Sequence, residues 1–314
     1  MGMGKRLIEV NGIVQDLRSL KSMGDGQHDY AIEQNIIFFE AIKNPISYLK
    51  WLFWQAPKIN GHELQEINDL LPKYDLFMHT KLIEMEKKRF PGLVEPIVDR
   101  LTNLINQELR TVTLINLGSG GMEVERQVIN RLIKMGHDYP VVFVGVDQSS
   151  ETRLLARNNL ASFERKILIT EKDDLSQIDL DKIKSKDQNN QYKVVLCGND
   201  IFRLPDNFKK KYFDFGLHSL FRHHLNEKQK NRLDEVLQSI ADTTLEYDGF
   251  KDWFGILPQT IIGWKHPVFL NAEIFSNLRF STKFKIKQEV EKRGWRSVKL
   301  NFSKIGYYLL QCYH

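Results

Sequence analysis

The sequence predicts an α/β protein: a mostly parallel sheet closed by a C-terminal antiparallel hairpin and preceded by a helical N-terminal region. Three observations carry this. After residue 110, short β-branched runs alternate with helical segments, the pattern of a parallel sheet covered on both faces. Before residue 110 the apolar spacing is helical. Near the end of the chain two β-rich runs, residues 297–302 and 307–313, flank Ser303-Lys304-Ile305-Gly306, a spacing that suits a hairpin.

Taken in order, Ile32, Ile36, Phe39 and Ala41-Ile42 predict one helix. Leu64, Ile67, Leu70 and Leu71 predict a shorter one that stops before Pro72. Ile97, Val98, Leu101, Leu104 and Ile105 share a face of a third, with Pro96 in its first turn. Strands are predicted over residues 111–117, 141–146, 192–197, 212–217 and 243–247. Helices are predicted over residues 123–135, 151–160 and 227–241. The polar stretch 170–191 reads as a surface insertion with one short helix, and an additional strand over Lys166–Thr170 is its alternative.

The totals are those of an ordinary soluble globular chain: 314 residues, 42% hydrophobic and 27% charged. Such a chain holds one large domain or a domain with an appendage. Cys197 and Cys312 are the only cysteines, too few for a disulfide framework or a four-cysteine zinc site. The N-terminus lacks the apolar run of a secretory leader. The apolar stretches 36–42 and 48–54 fall short of the ~20 residues that span a bilayer. A cytoplasmic protein without a transmembrane segment is expected. A net charge of +5 is too mild to argue for nucleic acid. The triplets Lys87-Lys88-Arg89 and Lys209-Lys210-Lys211 read as solvated surface.

Candidate site residues gather at the ends of the first three predicted strands. The first runs into Asn116-Leu117-Gly118-Ser119-Gly120-Gly121 before a helix; glycines there permit a sharp turn and close approach of backbone to a ligand. The second ends at Asp147-Gln148, where a carboxylate can accept both hydroxyls of a ribose or instead cap the next helix. The third ends at Asn199-Asp200-Ile201, polar groups for an adenine amino group beside an apolar wall. The crevice outside the carboxyl ends of such strands is where open α/β sheets bind ligands.

On these residues the chain resembles the class I S-adenosylmethionine-dependent methyltransferases over roughly residues 111–314. Asn116–Gly121 is similar to their glycine-rich motif, Asp147 to the acidic residue after their second strand, and Asn199-Asp200 to their third motif. The run Phe213–Leu225, with His218, His223 and His224, is similar to their fourth strand and the helix start beyond it. Lys292-Arg293-Gly294-Trp295 resembles the helix end before their last two strands. The resemblance implies a Rossmann-like, seven-stranded sheet and S-adenosyl-L-methionine as cofactor. It implies cofactor binding by Asn116, Gly118, Ser119, Gly120, Asp147, Gln148, Asn199, Asp200, Ile201 and His218. Asn116 stands where the family has Asp or Glu, and Met122 where it has a third glycine.

The activity expected is methyl transfer by in-line displacement to an acceptor of small-molecule type, with no metal. His223 and His218 are the candidate catalytic groups, as bases where the acceptor is protonated; capping or supporting roles are the alternative for both. His266, Trp253 and Phe254 are further candidates for the acceptor pocket. Methylation of a nucleic-acid amino group would want Asn/Asp-Pro-Pro-aromatic where His218-Ser219-Leu220-Phe221 stands. A nicotinamide-dependent oxidoreductase would want glycine where Glu123 stands, and a carboxylate there would repel a pyrophosphate. A non-catalytic binding or scaffold protein of the same fold is the other alternative.

Two regions follow: residues 1–110 as a helical lid and substrate region, and 111–314 as the cofactor domain. Phe38, Phe39, Tyr48, Trp51, Phe53 and Trp54 must pack on something. A lid over the sheet edge places Tyr74 and Phe77 nearest the cofactor, since many small-molecule methyltransferases carry a similar Tyr-Asp before the first strand. Alternatives for these helices are a dimer interface, making a homodimer, or a membrane-surface contact.

Overall fold

The computed structural model describes residues 3–24, 26, 28–74, 77–78, 80, 91–108, 110–137, 140–163, 166–173, 175, 179, 192–203, 212–251, 256, 260, 264–293, 295, 297–302 and 307–313. Lys87-Lys88-Arg89, Lys209-Lys210-Lys211, Trp253, Phe254, Gly294, the Ser303–Gly306 turn and most of the 170–191 stretch lie outside these residues. The chain forms two compact units. One holds Met1–Met78, Gly249–Glu289 and Lys304–Tyr307; the other holds His79–Asp248, Val290–Ser303 and Tyr308–His314. By contacts the first break falls after Met78, and residues 249–289 group with the N-terminal helices.

The second unit is built on a sheet. Its strands are β1 (Val112–Leu117), β2 (Val141–Val146), β3 (Ile167–Lys172), β4 (Tyr192–Cys197), β5 (Phe213–Ser219), β6 (Ala241–Gly249), β7 (Ser297–Phe302) and β8 (Tyr307–Tyr313). Their order is β3-β4-β2-β1-β5-β6-β8-β7. The pairs β3/β4, β4/β2, β2/β1, β1/β5 and β5/β6 are parallel, and β7/β8 is antiparallel. Every residue of β1, β2 and β4 is buried, as continuous β-branched runs covered on both faces require. The eighth strand is β3, so the alternative for Lys166–Thr170 is the one realised. It lies at the edge, and its polar Thr170-Glu171-Lys172 end is what an edge strand tolerates.

Helices separate the strands. Before β1 runs a helix over Pro91–Glu108, which starts one turn earlier than the sequence suggests and leaves Pro96 inside it. Glu123–Lys134 follows β1, Ser150–Leu160 follows β2, and Glu227–Ile240 joins β5 to β6. The last begins with a reciprocal cap: Gln229 N–H donates to Asn226 Oδ1 at 2.9 Å and Asn226 N–H to Gln229 Oε1 at 3.0 Å. It buries Leu233, Val236, Leu237 and Ile240 in one apolar core with Ile115, Val142, Val144, Val195 and Phe213 from the sheet. Each such side chain contributes about 1.5–3 kcal/mol by leaving water.

The first unit is helical: Met3–Met23, Asp29–Ala41, Pro45–Lys50, the short Ile67–Leu70 and Pro267–Arg279. Pro45–Lys50 continues into a wide π-helical turn at Trp51–Gln55. The core is aromatic: Phe38 meets Phe39, Trp51 and Phe275 edge to face at 5.3, 5.1 and 5.5 Å. A buried amide relay crosses it. Asn271 Nδ2 donates to Asn35 Oδ1 at 2.9 Å, and Ile67 N–H to Asn271 Oδ1 at 3.0 Å. Of the aromatic residues singled out by sequence, Phe38, Phe39, Tyr48 and Trp51 are buried while Phe53 and Trp54 are exposed.

Candidate functional site

The sheet places a crevice by its topology. β1 and β5 are neighbours, and the chain leaves β1 towards β2 on one side and β5 towards β6 on the other, so the connections run in opposite directions from their carboxyl ends. Such a switch point is where open α/β sheets accept ligands. The glycine turn stands there. Gly118 and Gly120 take φ of 70° and 52°, left-handed values that glycine adopts without cost. Gly118 has a second reason to lack a side chain: a Cβ would stand 2.5 Å from the Phe221 ring. Gly118 and Ser119 N–H both donate to Val146 O, at 2.9 and 3.1 Å, folding the turn over the end of β2.

Asp147 locks that arrangement. Its Oδ2 accepts from Gly120 N–H at 2.9 Å and its Oδ1 from Ser149 N–H at 3.0 Å. The helix after β2 is capped by Ser149, whose hydroxyl accepts from Thr152 N–H at 3.2 Å. Capping therefore belongs to Ser149, while the carboxylate of Asp147 reaches across to the glycine turn. Gln148 is exposed, and its carbonyl accepts from Arg153 Nη1 at 3.0 Å. The same Nη1 binds Asp147 O at 2.8 Å, and the guanidinium lies against Gly198, where a Cβ would come within 3.1 Å. Arg153 thus joins the ends of β2 and β4, a role not read from the sequence. Beyond β4, Asn199 Oδ1 accepts from Leu175 N–H at 2.6 Å and Asp200 Oδ1 from Phe202 N–H at 2.9 Å. Ile201 is buried beside them.

The acidic groups behave differently from expectation. Glu123 is buried, and both its oxygens accept from Arg126 at 2.6 Å, with Gln127 and Asn159 adding bonds at 2.9 Å. Burial pushes its carboxyl up, but these partners hold it below the ordinary value. Its charge is answered by Arg126 on the same helix. Two residues on, Glu125 is 1% exposed and accepts from Asn116 Nδ2 at 2.5 Å. Burial pushes Glu125 up to about 7. Asn116 Oδ1 and Glu125 Oε2 have no hydrogen-bond partner among the described residues. Two buried orphan acceptors side by side call for a ligand N–H donor or a proton.

At the end of β5 the backbone is strained: Leu220 has a φ of 50°, costly for a branched side chain and typical of a functional turn. Its N–H donates to Tyr247 O at 2.8 Å, and the turn lays Phe221 on Gly118. His223 follows. Its Nδ1 pairs with Asp248 Oδ1 at 2.7 Å, and its backbone N–H donates to Asp248 Oδ2 at 3.0 Å. These side chains are 6% and 3% exposed. In a neutral ring this pairing favours the proton on Nδ1 and the lone pair on Nε2. The His224 ring lies against His223 at a tilt of 41°, ring centroids 4.1 Å apart. Asp248, at the end of β6, was missed by sequence reasoning.

His218 is placed elsewhere, inside the sheet and fully buried, its Nε2 3.5 Å from Glu246 Oε2. Glu246 is the hub of a buried ionic network. Arg293 Nη1 donates to it at 2.7 Å, Tyr308 donates to its other oxygen, and Arg222 Nε lies 3.7 Å away. Arg222 in turn grips Asp234 with two bonds of 2.7 and 3.1 Å. Burial pushes Glu246 up, but Arg293 and Arg222 hold it well below the ordinary carboxylate range. Cys197 and Cys312 are both buried, and burial pushes the Cys312 thiol up, which suits neither as a nucleophile. In the helical unit Tyr74 lies 5.2 Å from Lys73 Nζ, and Phe77 lies 6.4 Å from His266.

No protein-family model matches the sequence, and no curated protein does. In structure the chain is similar to the CMeT domain of the citrinin polyketide synthase, with 12% identity over 95% of this chain and 68% of that one, at a TM-score of 0.49. It is similar to the CurJ carbon methyltransferase, with 12% identity over 100% of this chain and 81% of that one, at 0.49. It is also similar to the magnesium protoporphyrin IX methyltransferase of Synechocystis with bound SAH, with 12% identity over 78% of this chain and 87% of that one, at 0.42.

Proposed function

We propose that this chain is an enzyme that transfers a methyl group from S-adenosyl-L-methionine to an acceptor of small-molecule type. One observation carries the reading: a glycine turn at the switch point of the sheet, tied to the strand-tip carboxylate of the neighbouring strand by Gly120 N–H to Asp147 Oδ2 at 2.9 Å. The residues fit the cofactor. Gly118, Ser119 and Gly120 offer bare backbone, and Asn116 Oδ1 with Glu125 Oε2 offers orphan acceptors to an ammonium. Asp147 and Gln148 would take the ribose, and Asn199, Asp200 and Ile201 the adenine. Tyr74 is proposed as a further cofactor-binding residue.

When bound, the cofactor supplies an already activated methyl group. The protein's part is to align the acceptor and exclude water. Where the acceptor carries a proton at working pH, His223 would take it at Nε2, with Asp248 holding the ring in place. Buried His218 would act by bearing on the turn after β5. The division of labour between a substrate region over residues 1–110 and a cofactor domain over 111–314, a homodimeric state and a cytoplasmic setting belong to the same proposal. Among the described residues no helix is long and apolar enough to cross a membrane.

A second reading, a non-catalytic binding or scaffold protein, has one observation in its favour: both Asp147 oxygens are engaged by backbone amides. Calorimetry separates the readings. S-adenosylhomocysteine should bind in the micromolar range, about −8 kcal/mol, and NAD should not. Binding of neither favours the scaffold, and preference for NAD overturns the proposal.

A further inference from the structure

The segment from Pro45 to Ala56 is apolar on both of its faces. Its inner face is accounted for: Tyr48, Trp51, Leu52 and Ala56 are buried, and Trp51 stacks on Phe275 at 6.4 Å. Its outer face carries Ile46, Leu49, Phe53 and Trp54, which are 66%, 44%, 58% and 64% exposed. Spacings of three, four and eight residues put these on one side of a helix. The rings of Phe53 and Trp54 touch edge to face at 6.4 Å. A single exposed apolar side chain is ordinary, but four together form a patch that marks an interaction surface. The face is also held rigidly. Asn44 Oδ1 caps the segment by accepting from Ile46 and Ser47 N–H, at 2.8 and 3.3 Å.

Charge selects the occupant. Residues 41–62 contain Lys43, Lys50 and Lys58 and neither Asp nor Glu. Lys43 is paired with Glu40 at 2.7 Å, while Lys50 and Lys58 stand exposed beside the apolar face. Aromatic rings and aliphatic side chains on a segment whose only charged residues are lysines match the boundary between lipid headgroups and acyl chains. A protein partner would need both an apolar face and acids placed to meet the lysines, whereas an anionic bilayer offers both everywhere on its surface. We propose that this face seats the protein on an anionic lipid surface. Phe53 and Trp54 enter the headgroup boundary, and Lys50 and Lys58 meet lipid phosphates. The protein lies on the membrane rather than in it, and the inference stands whether or not the chain transfers methyl groups.

The test is sedimentation of the full chain with vesicles of phosphatidylcholine plus phosphatidylserine, against phosphatidylcholine alone. Two double variants accompany it, Phe53→Ser with Trp54→Ser and Lys50→Glu with Lys58→Glu. Both pairs are exposed, so melting temperature and S-adenosylhomocysteine affinity should match the parent chain. The parent should sediment with the anionic vesicles only, and each variant should partition roughly tenfold less or weaker still. A parent chain that stays in the supernatant overturns the proposal. So does equal sedimentation of parent and variants. A parent that is dimeric by light scattering, becomes monomeric in the aromatic variant and ignores vesicles also overturns it, and assigns the face to a second copy of this chain.

Discussion

Two regions of the sheet unit lie on opposite sides of β1 and are built by opposite means. On the β2 and β4 side the cradle is made of backbone: Gly118 and Ser119 N–H on Val146 O, Gly120 N–H on Asp147, and Arg153 on two carbonyls. On the β5 and β6 side the structure is made of side chains: the network of Arg222, Asp234, Glu246, Arg293 and Tyr308, and the His223–Asp248 pair. A backbone cradle can be loosened without exposing a buried charge, so its variants should change binding more than stability. A buried ionic network cannot lose one member without stranding another, so its variants should change stability more than binding.

The largest effect tests that contrast at the network. Glu246→Leu leaves Arg222 and Arg293 without their shared carboxylate and should cost about 3–5 kcal/mol, read as a lowered midpoint in urea. A midpoint within error of the parent would mean that the network is slack and the contrast false. Next in size is the dyad. His223→Gln should lower the methyl-transfer rate by roughly 10²–10⁴-fold with a proton-bearing acceptor. Asp248→Asn should follow in the same direction, and S-adenosylhomocysteine affinity should hardly move. An unchanged rate would reduce the pair to a structural clasp on the turn.

The Asn116–Glu125 pair sharpens the comparison, because it is a buried acid on the cradle side. Glu125 is pushed from an ordinary 4.5 to about 7. Between those values the folded chain keeps a proton that the unfolded chain has released. Stability should therefore fall as pH rises through that window, by on the order of 3 kcal/mol. Glu125→Gln should flatten the fall. Equal slopes in parent and variant, measured by urea melts across the window, would show that Glu125 is solvated in solution.

Sequence and structure agree best where neighbours in the chain are neighbours in space. The turn Gly118-Ser119-Gly120 and the tip at Asp147 are written locally, as glycines after one β-branched run and an acid after the next. The ends of β2, β4, β7 and β8 coincide with the apolar runs that predict them. β3 was harder to read because an edge strand need not be apolar. Asp248 was missed because its partner His223 lies 25 positions away, with a helix between them. Glu125 left a fainter signal, an acid on the same helical stripe as buried Ile129 and Leu132. Residues 267–279 group with the N-terminal helices through contacts such as Asn271 with Asn35, 236 positions apart, which no local pattern announces.

The central claim is that the glycine turn and Asp147 form a cofactor cradle. Calorimetric titration of S-adenosylhomocysteine into the parent chain and into Asp147→Ala, with urea melts of both, tests it most directly. The variant should bind more weakly by about 1.5–3 kcal/mol, the scale of a charge-assisted hydrogen bond. It should also lose about 1 kcal/mol of stability, because Gly120 N–H loses its acceptor. Unchanged affinity with the same loss of stability would contradict the claim and leave Asp147 as a brace for the turn alone.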